Sequence, residues 1–277
     1  MTYKSIMVHV EGTTRCRSRI ELARALAERF DAHLTGIYTI GPTEIPGYLR
    51  AELGEGFMQH RADLIAERRR TMHSRFLQDA SGMRPSRLDF QAVEGDPTQA
   101  LAMLARMADL VVIGQTELPL ADGSVVNAAF PENLVLASRR PCLVIPYAGE
   151  FKPRFEHPMI AWKATGEAVR AVTDALPILQ QAKRVTVVCV EPSSEPRPAF
   201  VPDIALFLAR HDVPVEVVFE QGGNPDVASA LLNRAFNIQA DLLVMGCYGH
   251  SRLRELILGG VSRTIFQTMT VPVLFAH

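Results

Sequence analysis

Short apolar runs alternate along the chain with longer amphipathic segments. The runs are rich in valine, isoleucine and leucine and often end in glycine or proline, which is typical of buried strands in a parallel sheet. They predict strands at 4–10, 33–40, 87–93, 109–114, 142–146, 158–163, 184–191, 214–220, 241–246 and 271–276. The intervening segments predict helices at 16–29, 50–79, 97–107, 131–138, 166–180, 199–211, 225–237 and 256–268. This alternation predicts an α/β fold, with a parallel sheet, helices on both faces and right-handed crossovers.

The pattern occurs twice along the chain. ADLVVIGQ around Asp109 is matched by ADLLVMGC around Asp241, and RRPCLVIP by TVPVLFAH. Upstream, GDP at 95–97 is matched by GNP at 223–225, where Asp or Asn caps a helix and Pro occupies its first turn. Because the matches keep their order, we interpret the chain as a tandem duplication.

The boundary between the two units falls in a polar stretch that is interrupted by glycine and proline. This stretch, YAGEFKPRFEH, separates a predicted first domain at 1–148 from a second at 157–277.

Composition narrows the function classes. The 277 residues are 48% hydrophobic and 21% charged, with a formal net charge of -1, so no basic excess favours nucleic acid. The arginine run within 61–75 also contains acids and is interpreted as a solvated helix face. The opening MTYKSIMVHV resembles a strand rather than a secretory signal, and no apolar stretch reaches the roughly 18 residues of a membrane span. The four scattered cysteines are typical of reduced thiols, and we expect a cytoplasmic protein.

Candidate chemistry lies after the predicted strand at 241–246. Gly246 and Gly249 are followed by Gly259, Gly260 and Ser262. Glycines let a backbone approach a ligand, and a helix that begins near Gly259 would present N–H groups to phosphate oxygens. The chain has neither a P-loop lysine motif nor G-x-G-x-x-G, so this would be a different kind of nucleotide loop, or simply a set of turn glycines.

The spacing Gly246-x2-Gly249-x9-Gly259 resembles the signature of the universal stress protein family. The surrounding VMGCYGHSRLRELILGGVSRTIF and MTVPVLF extend the likeness, which covers nearly the whole chain as two tandem domains. The resemblance implies two Rossmann-like domains of the adenine nucleotide alpha hydrolase type. Each would have a five-stranded parallel sheet in the order 3-2-1-4-5. It also implies ATP binding, which is a property of one branch of the family.

By resemblance, the second unit would bind ATP or a related adenine nucleotide, with or without Mg²⁺. The residues implied at this site are Ala161, Trp162, Lys163, Val190, Met245, Gly246, Gly249, His250, Gly259, Gly260, Val261 and Ser262. Two positions depart from the family pattern. Gly260 stands where Ser or Thr is usual, although Ser262 could supply a hydroxyl, and Lys163 stands where Asp is usual. The lysine could pair with a phosphate, or it could bind a carboxylate and fill the pocket.

The first unit shows the opposite departures. Glu11 is acidic at the end of its first strand, but the loop after Gly114 lacks the second glycine and the paired glycines before the helix. The resemblance therefore implies no ATP binding at this unit's own loop, and the altered segment 115–130 is expected to have a role of its own.

Two functional hypotheses remain open. One is a stress-response signalling protein that binds ATP in its second unit, and the other is an interaction module that binds no nucleotide. The sequence offers no convincing pair of base and metal site, so ATP turnover is expected to be slow or absent. Cys247 and His250 alone are too few for a metal centre. We expect the units to pack as a pseudo-dimer through the strands at 142–146 and 271–276, and further homodimerisation is compatible with the sequence.

Overall fold

The computed structural model describes residues 2–41, 47–116, 129–192, 201–222, 227–247 and 260–277. The strands are β1 Ser5–Val10, β2 His33–Ile40, β3 Leu88–Glu94, β4 Leu110–Gly114, β5 Cys142–Ile145, β6 Pro158–Ala161, β7 Val185–Pro192, β8 Val215–Gly222, β9 Leu242–Gly246 and β10 Val273–Ala276. The helices are α1 Cys16–Phe30, α2 Gly47–Asp79, α3 Pro97–Ala105, α4 Phe130–Ser138, α5 Gly166–Leu179, α6 Val201–Arg210, α7 Val227–Asn237 and α8 Val261–Thr268. We call β1–β5 with α1–α4 the first half, and β6–β10 with α5–α8 the second half.

The predicted alternation of strands and helices is confirmed, with small shifts at the ends of elements. Helix α2 begins three residues earlier than predicted, and β10 begins two residues later. Helix α3 ends at Ala105, and its start is as predicted, because Asp96 accepts a hydrogen bond from the backbone N–H of Gln99 at 2.9 Å and Pro97 occupies the first turn. The predicted starts of three helices, at 199, 225 and 256, lie outside the described residues.

The described strands form one ten-stranded sheet in the order β3-β2-β1-β4-β5-β10-β9-β6-β7-β8. Within each half all strand pairs are parallel, and the order 3-2-1-4-5 that the resemblance implied is confirmed in both. The central strands are buried on both faces, which explains why their sequences are almost continuously apolar.

The two halves meet where β5 and β10 pair in antiparallel orientation. Val144 lies opposite Val273, and Leu143 lies opposite Leu274. All four side chains are fully buried. This pairing turns one half by about half a turn relative to the other, because antiparallel strands run in opposite directions. The carboxyl ends of the first-half strands therefore point to the opposite edge of the sheet from those of the second half.

The core consists of two apolar layers, one on each face of the sheet. Helices α1, α2, α5 and α6 contribute to one layer, and α3, α4, α7 and α8 contribute to the other. Both layers continue across the β5–β10 junction. Each fully buried large aliphatic side chain contributes on the order of 1.5–3 kcal/mol through removal of apolar surface from water.

The repeated aspartates have the same structural role in both halves. Asp109 accepts hydrogen bonds from the backbone N–H groups of Lys4 and Ser5, at 2.7 and 3.0 Å. Asp241 accepts them from the residues that precede β6, with the N–H of Glu156 at 2.6 Å. Each aspartate therefore anchors the start of one central strand to the start of its neighbour, which explains the shared ADL motif without invoking a ligand.

Helix α2 follows the sequence prediction only in its C-terminal part. Phe76 is fully buried and Met72 packs against the core, whereas Leu64 is 44% exposed although the spacing of Leu64, Met72 and Phe76 along the helix predicts one apolar face against the sheet. Within the described residues, no helix is both long enough and apolar enough to cross a membrane.

Candidate functional site

Each half contains a crevice at the point where its strand order reverses. Helices leave the first and fourth strands of such a sheet on opposite faces, so ligands bind between the carboxyl ends of these strands. In the first half this point lies between β1 and β4, and in the second half it lies between β6 and β9. The antiparallel junction places the two crevices at opposite edges of the shared sheet.

In the second half, the ends of β6 and β9 are direct neighbours. Ala161 pairs with Met245, and the following residue, Gly246, ends β9. A Cβ atom at Gly246 would lie 2.5 Å from the backbone nitrogen of Ala168 and 2.6 Å from the backbone carbon of Glu167. Gly246 is therefore required because the first turn of α5 approaches the end of β9 so closely, a reason that does not depend on phosphate.

Lys163 lies in the turn that joins β6 to α5. Its side chain is exposed, and its carbonyl accepts a hydrogen bond from the N–H of Thr165 at 2.7 Å. Thr165 caps α5, where its hydroxyl accepts from the N–H of Ala168 at 3.4 Å. Trp162, one residue earlier, is half-buried against the core, and its backbone N–H donates to the carbonyl of Val188.

The first turn of α8 contributes the remaining described part of the implied site. Gly260 is the N-cap in extended conformation and is half-buried, whereas Ser262 in the first turn is only 6% exposed. Val261 opens the helix between them. Since α8 follows β9 and precedes β10 in a parallel arrangement, its N-terminus lies toward the carboxyl end of β9.

The other implied residues are more distant or fall outside the structure's described part. Met245 is 6% exposed and faces the core layer that contains α8. Val190 lies on β7, two residues beyond Val188, the partner of Ala161. Gly249, His250 and Gly259 lie outside the described residues.

The crevice of the first half contains a buried ion pair. The strand registers make Glu11 the equivalent of Lys163. In each half, one residue of the first strand pairs with the start of the fourth strand, and Glu11 and Lys163 lie equally far along the chain from that residue. Nη2 of Arg19 donates to Oε1 of Glu11 at 2.9 Å, and Nε of Arg19 donates to the carbonyl of His9 at 3.0 Å. The side chain of Arg19 is only 3% exposed. A third donor, the hydroxyl of Thr13, lies 3.0 Å from the same carboxylate oxygen.

Burial and the ion pair together set the charge states of Glu11, Arg19 and His9. Burial acts to raise the pKa of Glu11, but Arg19 outweighs that effect and lowers the pKa to about 2. Burial alone would lower the pKa of Arg19, and the nearby carboxylate raises it overall. Burial lowers the pKa of His9 to about 4, so its imidazole is neutral at neutral pH. Nδ1 of His9 is buried, has no hydrogen-bond partner among the described residues, and lies 3.8 Å from the Glu11 carboxylate.

Arg19 fills the place that a ligand would need. A Cβ atom at Gly114 would clash with Nη1 of Arg19. The cavity that remains, lined by Glu11, Arg19, Gln115, Thr116, Tyr147 and neighbouring residues, has a volume of about 20 Å³. This is room for one water molecule, whereas small-molecule sites typically occupy 300–1,000 Å³. As the described residues stand, the first crevice has no space for a nucleotide.

The second half lacks this filling side chain. The offset that relates Glu11 to Lys163 also relates Arg19 to Ala171, a fully buried residue of α5. Sequence reasoning missed Arg19, although a signal was present. The stripe of buried positions on α1, from Cys16 through Ala23, is interrupted by an arginine at helical spacing. A charged residue in such a stripe indicates a buried partner, here the carboxylate at the end of β1.

Metal and redox chemistry find little support among the described residues. They contain no group of three or more His, Cys, Asp or Glu side chains that could hold a metal ion. All four cysteines are buried and outside disulfides. Burial raises the pKa of Cys142 to about 12, which disfavours a reactive thiolate there.

Replacing Arg19 by Ala should strongly destabilise the chain. The substitution leaves the Glu11 carboxylate buried without its cation, which typically costs 3–5 kcal/mol in the free energy of unfolding. Arg24→Ala is the control, since Arg24 forms a surface pair with Glu28 on the same helix, and its loss should cost under about 1 kcal/mol. Urea unfolding at neutral pH measures both. Equal effects of the two substitutions would show that the buried Glu11 carboxylate does not depend on Arg19 as its counter-ion.

Acidification should destabilise the chain through His9 before it acts through Glu11. The pKa of His9 is depressed in the folded state, so its contribution is complete above the unfolded pKa of about 6.5 and is lost as the pH falls toward 4. The depressed pKa of Glu11 removes stability only below its unfolded value, down to about 2.

Replacing His9 by Gln should therefore flatten the dependence of unfolding free energy on pH between about 6.5 and 4. The maximum slope that one histidine contributes is about 1.4 kcal/mol per pH unit. An unchanged slope in His9→Gln would contradict the assignment.

Comparison with known proteins supports the fold and places the second half in a family. The Universal stress protein family model matches residues 161–277. No curated protein sequence matches the chain significantly. Among solved structures, a universal stress protein from Archaeoglobus fulgidus DSM 4304 has a TM-score of 0.69 at 14% identity, covering 98% of this chain and 96% of that one.

Two further structures show the range of similarity. A putative universal stress protein from Pseudomonas aeruginosa UCBPP-PA14 has a TM-score of 0.58 at 15% identity, and the match covers 99% of this chain and 93% of that chain. A universal stress protein from Archaeoglobus fulgidus, in complex with dAMP, has a TM-score of 0.32 at 14% identity, with 52% of this chain and 98% of that chain covered. The second half therefore matches the universal stress protein family over residues 161–277, and the solved structures show that the fold is shared over the whole length of the chain.

Proposed function

We propose that the second half binds ATP or a related adenine nucleotide at the carboxyl ends of β6 and β9, and that the chain is a cytoplasmic protein of stress-response signalling. The observation that carries the proposal is the contrast between the two crevices. In the first, Arg19 lies against Gly114 and pairs with Glu11, whereas in the second the equivalent positions are Ala171 and Lys163, so the arginine–carboxylate pair has no equivalent there. The glycines at 249 and 259 add the family's phosphate-loop spacing in sequence.

The described residues around the second crevice suit a phosphate. The N-termini of α5 and α8 lie toward the carboxyl ends of β6 and β9, and both present backbone N–H groups and the positive end of a helix dipole. Gly260 at the N-cap of α8 adds no side chain to this surface. Lys163 is the exposed cation nearest in sequence to the end of β6, and we assign it the role of a counter-charge to phosphate. No chemical step on the nucleotide is proposed.

The remaining residues have supporting roles in this proposal. Backbone groups near Val190, at the end of β7, would contact the adenine, and Ala161 and Trp162 would form the floor of the crevice. Ser262 is too buried to serve freely as a phosphate ligand, being 6% exposed, so the backbone of the first turn of α8 would carry that interaction. Mg²⁺, if it accompanies ATP, would be held mainly by the phosphate oxygens.

The domains proposed at 1–148 and 157–277 would act together as a pseudo-dimer. The antiparallel pairing of β5 with β10 supports this, because it buries an edge strand of each five-stranded sheet. A measurement of molecular mass in solution would test whether two chains assemble further into a homodimer.

A second candidate function is an interaction module that binds no nucleotide. The observation that favours it is Lys163, because the family resemblance implies an acid at that position and the lysine could instead satisfy a carboxylate of the chain itself.

The two candidates are separated by a direct test of binding. The purified chain is denatured, any released nucleotide is identified by chromatography and mass, and ATP is then titrated by calorimetry with and without Mg²⁺. The proposal expects co-purified adenine nucleotide, or a dissociation constant in the micromolar range, about -8 kcal/mol, at one site per chain. Gly249→Val should abolish this binding. No heat up to millimolar ATP would support the interaction module instead.

Replacing Lys163 by Asp should weaken ATP binding about tenfold or more, because a charge-assisted bond to phosphate is worth roughly 1.5–3 kcal/mol. Lys183→Asp is the matched control with the same change of charge. Lys183 pairs with Glu156 at the start of β7, at the opposite end of the strands, and its replacement should leave the affinity unchanged. Tighter binding by Lys163→Asp would show that the lysine obstructs the site.

A further inference from the structure

Gln115 follows β4 directly and is held by the first half at two points. Its backbone N–H donates to the carbonyl of Ile145 at 2.8 Å, and its Oε1 accepts from the backbone N–H of Tyr147 at 3.1 Å. The residue is 8% exposed and lines the first crevice. The first half alone therefore fixes the orientation of this side chain, and the Nε2 amino group points away from these two partners.

That amino group reaches the second half. Nε2 of Gln115 donates to the carbonyl of Phe266 at 2.8 Å and to the carbonyl of Gln267 at 3.1 Å. Both carbonyls belong to the last turn of α8, where helix geometry leaves carbonyl groups without an intrahelical partner. A side chain of the first half thus closes the C-terminus of a helix in the second half.

The equivalent helix end in the first half is closed differently. The hydroxyl of Ser138, the last residue of α4, donates to the carbonyls of Val135 at 3.4 Å and of Arg140 at 3.3 Å. The position equivalent to Gln115 in the second half is Cys247, whose thiol is a weak donor and cannot reproduce a two-pronged amide contact. The two-pronged amide contact therefore runs from the first half to α8.

We propose that Gln115 is a positioning residue for α8 and, through α8, for the nucleotide site of the second half. The inference rests on the proposed function. Helix α8 has only eight residues, about 12 Å in length, so a contact at its C-terminus also fixes the position of Gly260 at its N-terminus. Because coupling is reciprocal, a nucleotide on the second crevice would also tighten the contact of Gln115 in the first.

The test is the Gln115→Leu variant, which keeps a buried side chain of similar length and removes both donated bonds. Amide hydrogen exchange within 261–269 should become about tenfold faster than in the wild type, while exchange in α3 stays the same and serves as an internal reference for global stability. The dissociation constant for ATP, from calorimetry, should rise about three- to tenfold. Gln115→Glu, which keeps the acceptor for Tyr147 but places an acceptor against the two carbonyls, should behave like Gln115→Leu.

Ser138→Ala is the matched control, since it loosens the helix end of the first half. It should speed exchange at the end of α4 and leave the ATP affinity unchanged. Unchanged exchange of α8 in both Gln115 variants would overturn the inference. Faster exchange with unchanged ATP affinity would overturn its second part, that Gln115 acts on the site. If the wild type binds no ATP, the proposed function fails together with that second part, and the exchange of α8 alone then decides whether Gln115 holds the helix.

Discussion

The antiparallel pairing of β5 with β10 is the constraint from which the rest of the molecule's organisation follows. Two parallel sheets could join side by side with all strands pointing one way, but here the fifth strands of the two halves pair in antiparallel orientation. The two crevices are consequently placed at opposite edges of one sheet. In each half the last helix directly precedes the fifth strand. The antiparallel junction therefore places the C-terminus of that helix at the crevice edge of the other half. Contacts such as Gln115 with α8 are possible only because of this arrangement.

Within this shared frame, a few substitutions give the two crevices different chemistry. In the first, a carboxylate from β1 and a guanidinium from α1 neutralise one another inside the protein. Their mutual attraction must offset the desolvation of both ions, so the pair adds little net stability compared with apolar residues, yet either ion alone would be very costly. In the second, lysine and alanine occupy these positions, so the arginine–carboxylate pair of the first half has no equivalent there.

The sequence predicted the fold because its signals are local. Alternating apolar runs, caps such as Asp96 and the repeated ADL motif each act within a few residues or between neighbouring strands. Gly246 was also identified from sequence, but the structure gives it a packing reason, the close approach of α5, that a glycine spacing alone cannot reveal. Arg19 and Gln115 were missed because their partners are brought near only by the folded sheet, and in the case of Gln115 by the junction between the halves.

A duplicated chain can change one copy without losing the other, and the structure indicates what each change does physically. Arg19 fills the first crevice. Its ion pair, the neutral His9 and a cavity the size of one water molecule leave no space that a nucleotide could occupy without breaking the buried pair. Gln115 then extends this fixed half to α8. Under the proposed function, the first half would hold the C-terminus of the helix that flanks the nucleotide site. A helix beside a ligand site is positioned more precisely when its far end is held in this way.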